Sequence, residues 1–295
     1  MLDVAMAILV AGLTSGALYA LATIGLSLVW GSMGMLNMAH AAMLTLGGYV
    51  AFTAITTLGL PLPLGFLAAV AVGAVAGAAL YAGIVRNLLR NDKPLFEANV
   101  MIATVGIGIA LENAILMGYG GQPLRQPASI LGSFRIGPMT LPYQNLFIIV
   151  VVILMMIAVS LLLNRTRMGR AIRATAQNRD AALLMGVAVN RVYLQVLMLS
   201  GALAGVCGIL VSSMTQLSPP LGNDLMLKAF IMCVVAGLGN LPGAVAAAFG
   251  LALLEAFVQY AFGARWGFPA LLFVVIAVLI WRPSGLFGRA EIRRM

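Results

Sequence analysis

Long apolar runs separated by short polar intervals make up almost all of this sequence. A helix needs roughly 17 to 25 apolar residues to cross the hydrocarbon layer of a membrane. Apolar runs suited to one crossing each are found at residues 4–30, 41–58, 64–85, 96–117, 144–163, 192–214, 225–236, 244–262 and 267–281. The pattern predicts an all-α, polytopic helical membrane protein with about eight to nine crossings, built as a single transmembrane domain over residues 1–295.

The interval 31–40, GSMGMLNMAH, is more than a connector. It is too polar and Gly-rich for the interior of a span, yet it lacks the charges of a free loop. A broken segment at membrane depth is tolerated only where protein or a water-filled cavity covers its backbone. We therefore predict a pathway element here, with Gly34, Asn37 and His40 as candidate lining residues. For His40 a structural role, bonded to a carbonyl, stays open beside the lining role.

The longest polar interval is Arg165 to Arg191, which holds six of the seventeen basic residues. Its arginines predict a cytoplasmic location. Arg170, Arg173, Gln177 and Asp180 recur at spacings of three and four, which places them on one face of a helix.

Two residues mark the start and the end of a second short helix in this segment. Asn178 is typical of the N-cap of a second short helix over Arg179–Met185, and Gly186 suits the position just past its end. The pattern predicts a helix on the cytoplasmic surface near 170–186; a solvated basic loop with some helicity is the alternative.

Composition excludes several classes of protein. With 62% hydrophobic and 8% charged residues and a mean hydropathy of +1.07, no room is left for a soluble domain. The net charge of +9 does not indicate a nucleic-acid partner, because thirteen basic residues cluster in the intervals 86–93, 165–191 and 282–294. Their distribution predicts topology, with the N-terminus outside and the C-terminus inside.

The sequence offers little for catalysis. It has one histidine, no pair of metal ligands at a suitable spacing and no nucleophile beside a base. A phosphate-binding loop needs Gly-Lys followed by Ser or Thr, but Lys93 and Lys228 follow Asp92 and Leu227. We therefore predict that the chain is not an enzyme, has no cofactor and depends on another subunit for any use of ATP. A catalytic set clustered around His40 would be needed for a membrane-embedded enzyme.

Secondary transport is the main alternative, because coupling ions need ionisable groups within the bundle. The candidates are Glu112, beside Asn113 in the fourth span, and Glu255 in the eighth. These two isolated carboxylates could equally line a pore or be structural, bonded to neighbouring helices. Lys228 and Asp224 are expected near an outer boundary, where a lysine can extend its ammonium toward water.

Three separated segments resemble one family. They are GMLNMAHAAMLTLGGYVA at 34–51, GRAIRATAQNRDAALLMGVAVNRV at 169–192 and VVAGLGNLPGAVAAAFGLALLE at 234–255, followed by WRPSGLFG at 281–288. Their order and spacing are similar to those of the branched-chain amino acid ABC transporter permeases of the LivH type. Ala41 and Ala236 stand where the family's motifs have glycine.

The resemblance implies a permease subunit of an ATP-driven importer in the bacterial inner membrane, with a periplasmic N-terminus and a cytoplasmic C-terminus. It implies a homologous second permease, two cytoplasmic subunits that bind ATP, and a periplasmic amino-acid-binding protein. The substrate implied is a branched-chain or related amino acid, although relatives that carry urea or amides look similar. Polar groups for such a substrate would come from Gly34, Asn37, His40, Glu112 and Asn113. Contact with the ATPase would fall to Arg170, Arg173, Arg179, Asp180, Leu183, Leu184 and Gly186.

Overall fold

The computed structural model describes residues 2–89, 96–127, 130, 132–136 and 139–288, and these ranges form a bundle of helices with one small hairpin. In chain order the elements are α1 (Leu2–Met33), α2 (His40–Thr56), α3 (Leu62–Leu80), a π-helical turn (Tyr81–Val85), α4 (Arg86–Leu89), α5 (Phe96–Tyr119), β1 (Ser133–Ile136), β2 (Met139–Pro142), α6 (Tyr143–Arg165), α7 (Arg167–Gln177), α8 (Arg179–Leu184), α9 (Val189–Met214), α10 (Leu221–Ala236), α11 (Leu241–Phe262), a 3₁₀ turn (Ala264–Trp266) and α12 (Gly267–Trp281).

The described residues contain seven helical stretches that are long and apolar enough to cross a membrane. Two shorter helices lie among them, α2 with 17 residues and α10 with 16. At 1.5 Å per residue each is about 25 Å long, slightly less than the hydrocarbon thickness of about 30 Å. With these two, the predicted eight to nine crossings and the polytopic helical class are confirmed.

Several boundaries differ from the prediction. α1 continues to Met33, so the broken segment is confirmed but is limited to residues 34–39. α10 begins at Leu221, directly after Pro220 and four residues before the predicted apolar run 225–236. The β1–β2 hairpin was not predicted. Parts of the basic intervals, residues 90–93 and 289–294, lie outside the described residues.

Glycines bring the central helices into close contact. A methyl group on Gly73 of α3 would meet the backbone carbonyl of Gly201 in α9, and one on Gly205 would meet that of Ala69. On the other side of the bundle, Gly12 and Gly16 of α1 face side chains of α11. Small residues permit such approach, and dispersion contacts then replace the hydrophobic effect as the attraction between helices in lipid.

The pairing of helices repeats within the chain. α1 packs on α10 and α11, α10 packs on α11, and α12 lies against α10. In the same way α9 packs on α2 and α3, α2 packs on α3, and α5 lies against α2. The first four membrane helices therefore correspond, in chain order, to the last four: α1 to α9, α2 to α10, α3 to α11 and α5 to α12. Because α9 is the sixth crossing, it runs antiparallel to α1, which makes this an inverted repeat of the kind found in transporters.

Candidate functional site

The polar segment 165–191 folds into two short helices at one end of the bundle. α7 starts where the Thr166 hydroxyl accepts a hydrogen bond from the backbone N–H of Gly169, at 3.1 Å. This N-cap satisfies one of the unpaired donors at the start of the helix. Arg170 and Arg173 lie on the exposed side of α7, as their spacing predicts.

An arginine fastens α7 to the end of α6. The Arg173 guanidinium donates through Nη1 to the backbone carbonyl of Leu163 and, at 3.4 Å, to Oδ1 of Asn164. The last carbonyls of a helix have no partner within it, and the helix dipole favours a cation there. This bond joins α7 to the end of α6.

The predicted cap between the two short helices is confirmed. Oδ1 of Asn178 accepts a hydrogen bond of 2.9 Å from the backbone N–H of Ala181. The helix that follows ends at Leu184, one residue before the predicted end at Met185.

The prediction that four polar residues share one helix face is wrong for Asp180. α7 ends at Gln177, and the extended backbone of Asn178, with φ −159° and ψ 109°, separates it from α8. Asp180 therefore belongs to the first turn of α8, where its negative charge is favoured by the helix dipole. Arg170 and Arg173 stay on α7.

The tip at the end of α8 is apolar and exposed. Ala182 is buried against the bundle, but Leu183 is half-exposed, Leu184 is 89% exposed and Met185 is 84% exposed. Gly186 then has φ +81°, a left-handed conformation that favours glycine and reverses the chain toward α9. A monomeric surface rarely presents three consecutive large apolar side chains in this way.

Asn37 in the broken segment and His40 at its end lie inside the bundle, whereas Gly34 is partly exposed. Gly34 has φ +64°. Asn37 and His40 are each 1% exposed. Oδ1 of Asn37 accepts from the backbone N–H of Ala39 at 3.1 Å, and Nδ1 of His40 lies 3.4 Å from Oγ of Ser200. These contacts hold the shape of the break. No group of three metal-ligating side chains occurs in the ranges that the structure describes.

Glu112 and Asn113 lie on α5, apart from the break. Oε2 of Glu112 accepts a hydrogen bond of 3.2 Å from Asn223, and the exposed Asn113 donates to the Ile109 carbonyl at 2.8 Å. Around them α5 exposes large apolar side chains on a broad face, among them Ile102, Val105, Ile109, Leu116 and Met117. The structure thus separates the five residues named for the pathway into a group at the broken segment and a group on the α5 face.

Glu255 is not isolated. It is 3% exposed, and its carboxylate lies 3.0 Å from Nζ of Lys228 and accepts hydrogen bonds from Tyr19 at 2.8 Å and Gln259 at 3.2 Å. Lys228 also donates to the Tyr19 hydroxyl and lies 3.3 Å from Asp224. Of the roles left open for Glu255, the structural one, bonded to neighbouring helices, fits this arrangement, because α1, α10 and α11 bring these groups together. Lys228 does not extend only toward water, as was expected, but contacts Glu255 and Tyr19. A buried pair of this kind neutralises itself.

Comparisons with known proteins agree on one family. The family model described as the permease component of the branched-chain amino acid transport system matches residues 8–282. The high-affinity branched-chain amino acid transport system permease protein BraD of Pseudomonas aeruginosa is 33% identical, over 97% of each chain. The corresponding protein LivH of Escherichia coli is 29% identical, over 96% of each chain.

More distant relatives carry other names. The autoinducer 2 import system permease protein LsrC of an Enterobacter species is 31% identical over 75% of this chain and 64% of its own. No solved structure matches the chain. The match of the family model to nearly the whole sequence, with relatives of equal length, means that this chain belongs to the permease family of branched-chain amino acid transport systems.

Proposed function

We propose that the chain is a transmembrane permease subunit of an ATP-driven importer that moves branched-chain or related amino acids across the bacterial inner membrane. Separate cytoplasmic ATPase subunits drive it through the 165–191 segment, and a periplasmic binding protein delivers the amino acid. The N-terminus is periplasmic and the C-terminus is cytoplasmic, which places the basic intervals on the cytoplasmic side. The substrate class is the one named for the BraD and LivH relatives.

The observation that carries the proposal is the exposed apolar tip formed by Leu183, Leu184 and Met185. An apolar anchor with a charged rim is the usual composition of a protein interface. Here the rim is supplied by Arg170 and Arg179, which set orientation more than affinity. The tip therefore inserts into a groove of an ATPase subunit.

Movement of the ATPase reaches the spans through covalent and hydrogen-bonded links. α7 is joined to α6 by the chain and by the bond from Arg173 to the Leu163 carbonyl. α6 packs on α1, which packs on α10 and α11. Rigid-body displacement of the short helices therefore shifts the central helices, as alternating access requires.

The pathway runs along the exposed face of α5, where a homologous second permease completes it. Glu112 and Asn113 supply polar groups on an otherwise apolar wall, a composition that suits an aliphatic amino acid. The broken segment 34–39 is bonded to α5, because the backbone N–H of Met38 donates to Oγ1 of Thr104 at 3.1 Å. Gly34, Asn37 and His40 thus act on the pathway by holding the break against α5.

The test is purification of the tagged chain from native membranes in mild detergent, followed by reconstitution. We expect a nucleotide-binding subunit to copurify and leucine uptake to require ATP and a binding protein. The Gly186→Arg variant should lose both, whereas Gly186→Asn, which tolerates the left-handed conformation, should retain most of each. Uptake by the chain alone, driven by an ion gradient without ATP, would overturn the proposal in favour of a secondary transporter that uses Glu112 or Glu255.

A further inference from the structure

A cavity of about 880 Å³ opens beside the two short cytoplasmic helices. It lies between α1, α6 and α7, and the turn 238–242 and residues 287–288 close its other side. This volume is within the range of sites that bind small amphipathic molecules. The cavity is separate from the exposed face of α5 and from the apolar tip of α8, so neither proposed role accounts for it.

The walls of the cavity change from apolar to polar along the helix axes. Ile24 of α1 and Met156 of α6 line its deep part, whereas Ser32 of α1, Asn164 of α6 and Arg173 of α7 line the part next to α7. Eight residues separate the two levels on both α1 and α6, which corresponds to about 12 Å. The cavity therefore has an apolar interior inside the hydrocarbon layer and a polar mouth at the surface of the membrane.

A serine between these two levels has an unsatisfied hydroxyl. Ser27 lines the cavity and is 1% exposed, and its Oγ has no hydrogen-bond partner among the residues that the structure describes. A buried hydroxyl without a partner is unfavourable, so a ligand that supplies one is favoured. Ser27 lies five residues deeper than Ser32, or about 7 Å, at a depth suited to an ester carbonyl below a lipid phosphate.

The charge at the mouth favours an anion. Arg173 is the one charged residue among the described residues that line the cavity, and no carboxylate is among them. Its guanidinium uses Nη1 for the Leu163 carbonyl, which leaves N–H groups for a phosphate.

We propose that this cavity binds an anionic phospholipid from the leaflet on the α7 side, which is the cytoplasmic leaflet in the orientation proposed above. Arg173 holds the phosphate, Ser27 donates to an ester carbonyl, and an acyl chain lies along Ile24 and Met156. The lipid thereby contacts α1, α6 and α7 at once. An effect of the lipid on ATPase coupling rests on the proposed function, whereas the binding itself does not.

Native mass spectrometry of the delipidated full chain tests the site directly. Phosphatidylglycerol, phosphatidylcholine and inorganic phosphate are titrated separately. We expect phosphatidylglycerol to bind well above the other two. The Arg173→Gln variant should weaken its binding about tenfold, because charge-assisted hydrogen bonds contribute about 1.5 kcal/mol or more. Arg167→Gln, which removes the same charge from α7 away from the cavity, should change it less than about twofold.

A second pair of variants tests the cavity without removing charge. Ser160 lines the cavity one turn deeper than Asn164 and is exposed, so Ser160→Phe should fill the cavity and abolish binding while the chain still folds. Ala158→Phe places the same ring on an exposed position of α6 that does not line the cavity, and binding should persist. Equal binding in both phenylalanine variants would overturn the site.

Three further outcomes would contradict the proposal. Equal affinity for phosphatidylcholine would show that the anionic headgroup is not recognised. Displacement by inorganic phosphate at the same concentration would indicate a site for a free anion. Stronger lipid binding after removal of residues 289–295 would show that the chain's own tail is the occupant. Since no ATPase is present in these titrations, each outcome is independent of the proposed transport function.

Discussion

Charge is used in opposite ways at the two polar regions of this bundle. In the segment 165–191 six arginines surround Asp180, and none makes an ion pair within the described residues. Between α10 and α11 the buried carboxylate of Glu255 is paired at 3.0 Å with the ammonium of Lys228, whose side chain is only 13% exposed. A buried charge needs a partner in the same chain. An exposed and unpaired cluster is available to another molecule. The difference assigns recognition to the segment 165–191 and stability to the pair Lys228–Glu255.

The largest effect is expected from breaking the buried pair. Glu255→Gln keeps the shape of the side chain but leaves Lys228 with only the exposed Asp224 as its anionic partner. Removal of one partner from a buried pair typically costs about 3–5 kcal/mol, and we expect the lower end here. Both cysteines, Cys207 and Cys233, are buried, so a thiol-reactive dye reports the unfolding temperature in detergent.

A double variant separates stability from ion coupling. Lys228→Met combined with Glu255→Met replaces both charges by apolar groups and should recover most of the lost stability, because no uncompensated charge remains. If Glu255→Gln instead left the unfolding temperature unchanged and abolished uptake, Glu255 would be a coupling carboxylate and the comparison between the two regions would fail.

A smaller effect, confined to association, is expected at the apolar tip. Leu184→Asp should weaken binding of the ATPase subunit by about 2 kcal/mol, or roughly thirtyfold, because a central apolar anchor becomes a desolvated charge. The unfolding temperature should not change, since Leu184 is almost fully exposed. Asn190→Asp adds the same charge to an exposed position nearby and should bind normally. A loss of stability in Leu184→Asp would place the tip in the fold and not in an interface.

The sequence predicted what local pattern determines. α12 has the predicted bounds, Gly267–Trp281, because an apolar run of span length needs no tertiary information. The cap at Asn178 was predicted for a similar reason, since the amide side chain acts on the backbone three residues later. Both features depend on interactions within one helix.

Features that require several helices could not be predicted. The pair Lys228–Glu255 joins residues 27 positions apart and is completed by Tyr19, which is more than 200 positions away from either. The burial of His40 depends on α9, whose Ser200 lies beside it. The cavity near Arg173 is formed by α1, α6, α7 and the chain after α12. In each case packing, and not local pattern, decides which side chains meet.

The smallest effect is expected from the cap that positions the tip. Asn178→Ala removes the bond to the backbone N–H of Ala181, and loss of an N-cap costs about 1 kcal/mol. Because α8 has only six residues, loss of the cap should unfold the tip locally and leave the stability of the bundle unchanged. Hydrogen exchange at residues 181–184 should therefore rise several-fold, while the ATPase subunit binds about fivefold more weakly. Asn178→Asp retains an acceptor at the cap and should behave as the original chain. Unchanged exchange in Asn178→Ala would mean that packing of Ala182 against the bundle, and not the cap, holds the tip. The surface proposed for recognition would then depend on the same packing contacts that stabilise the bundle.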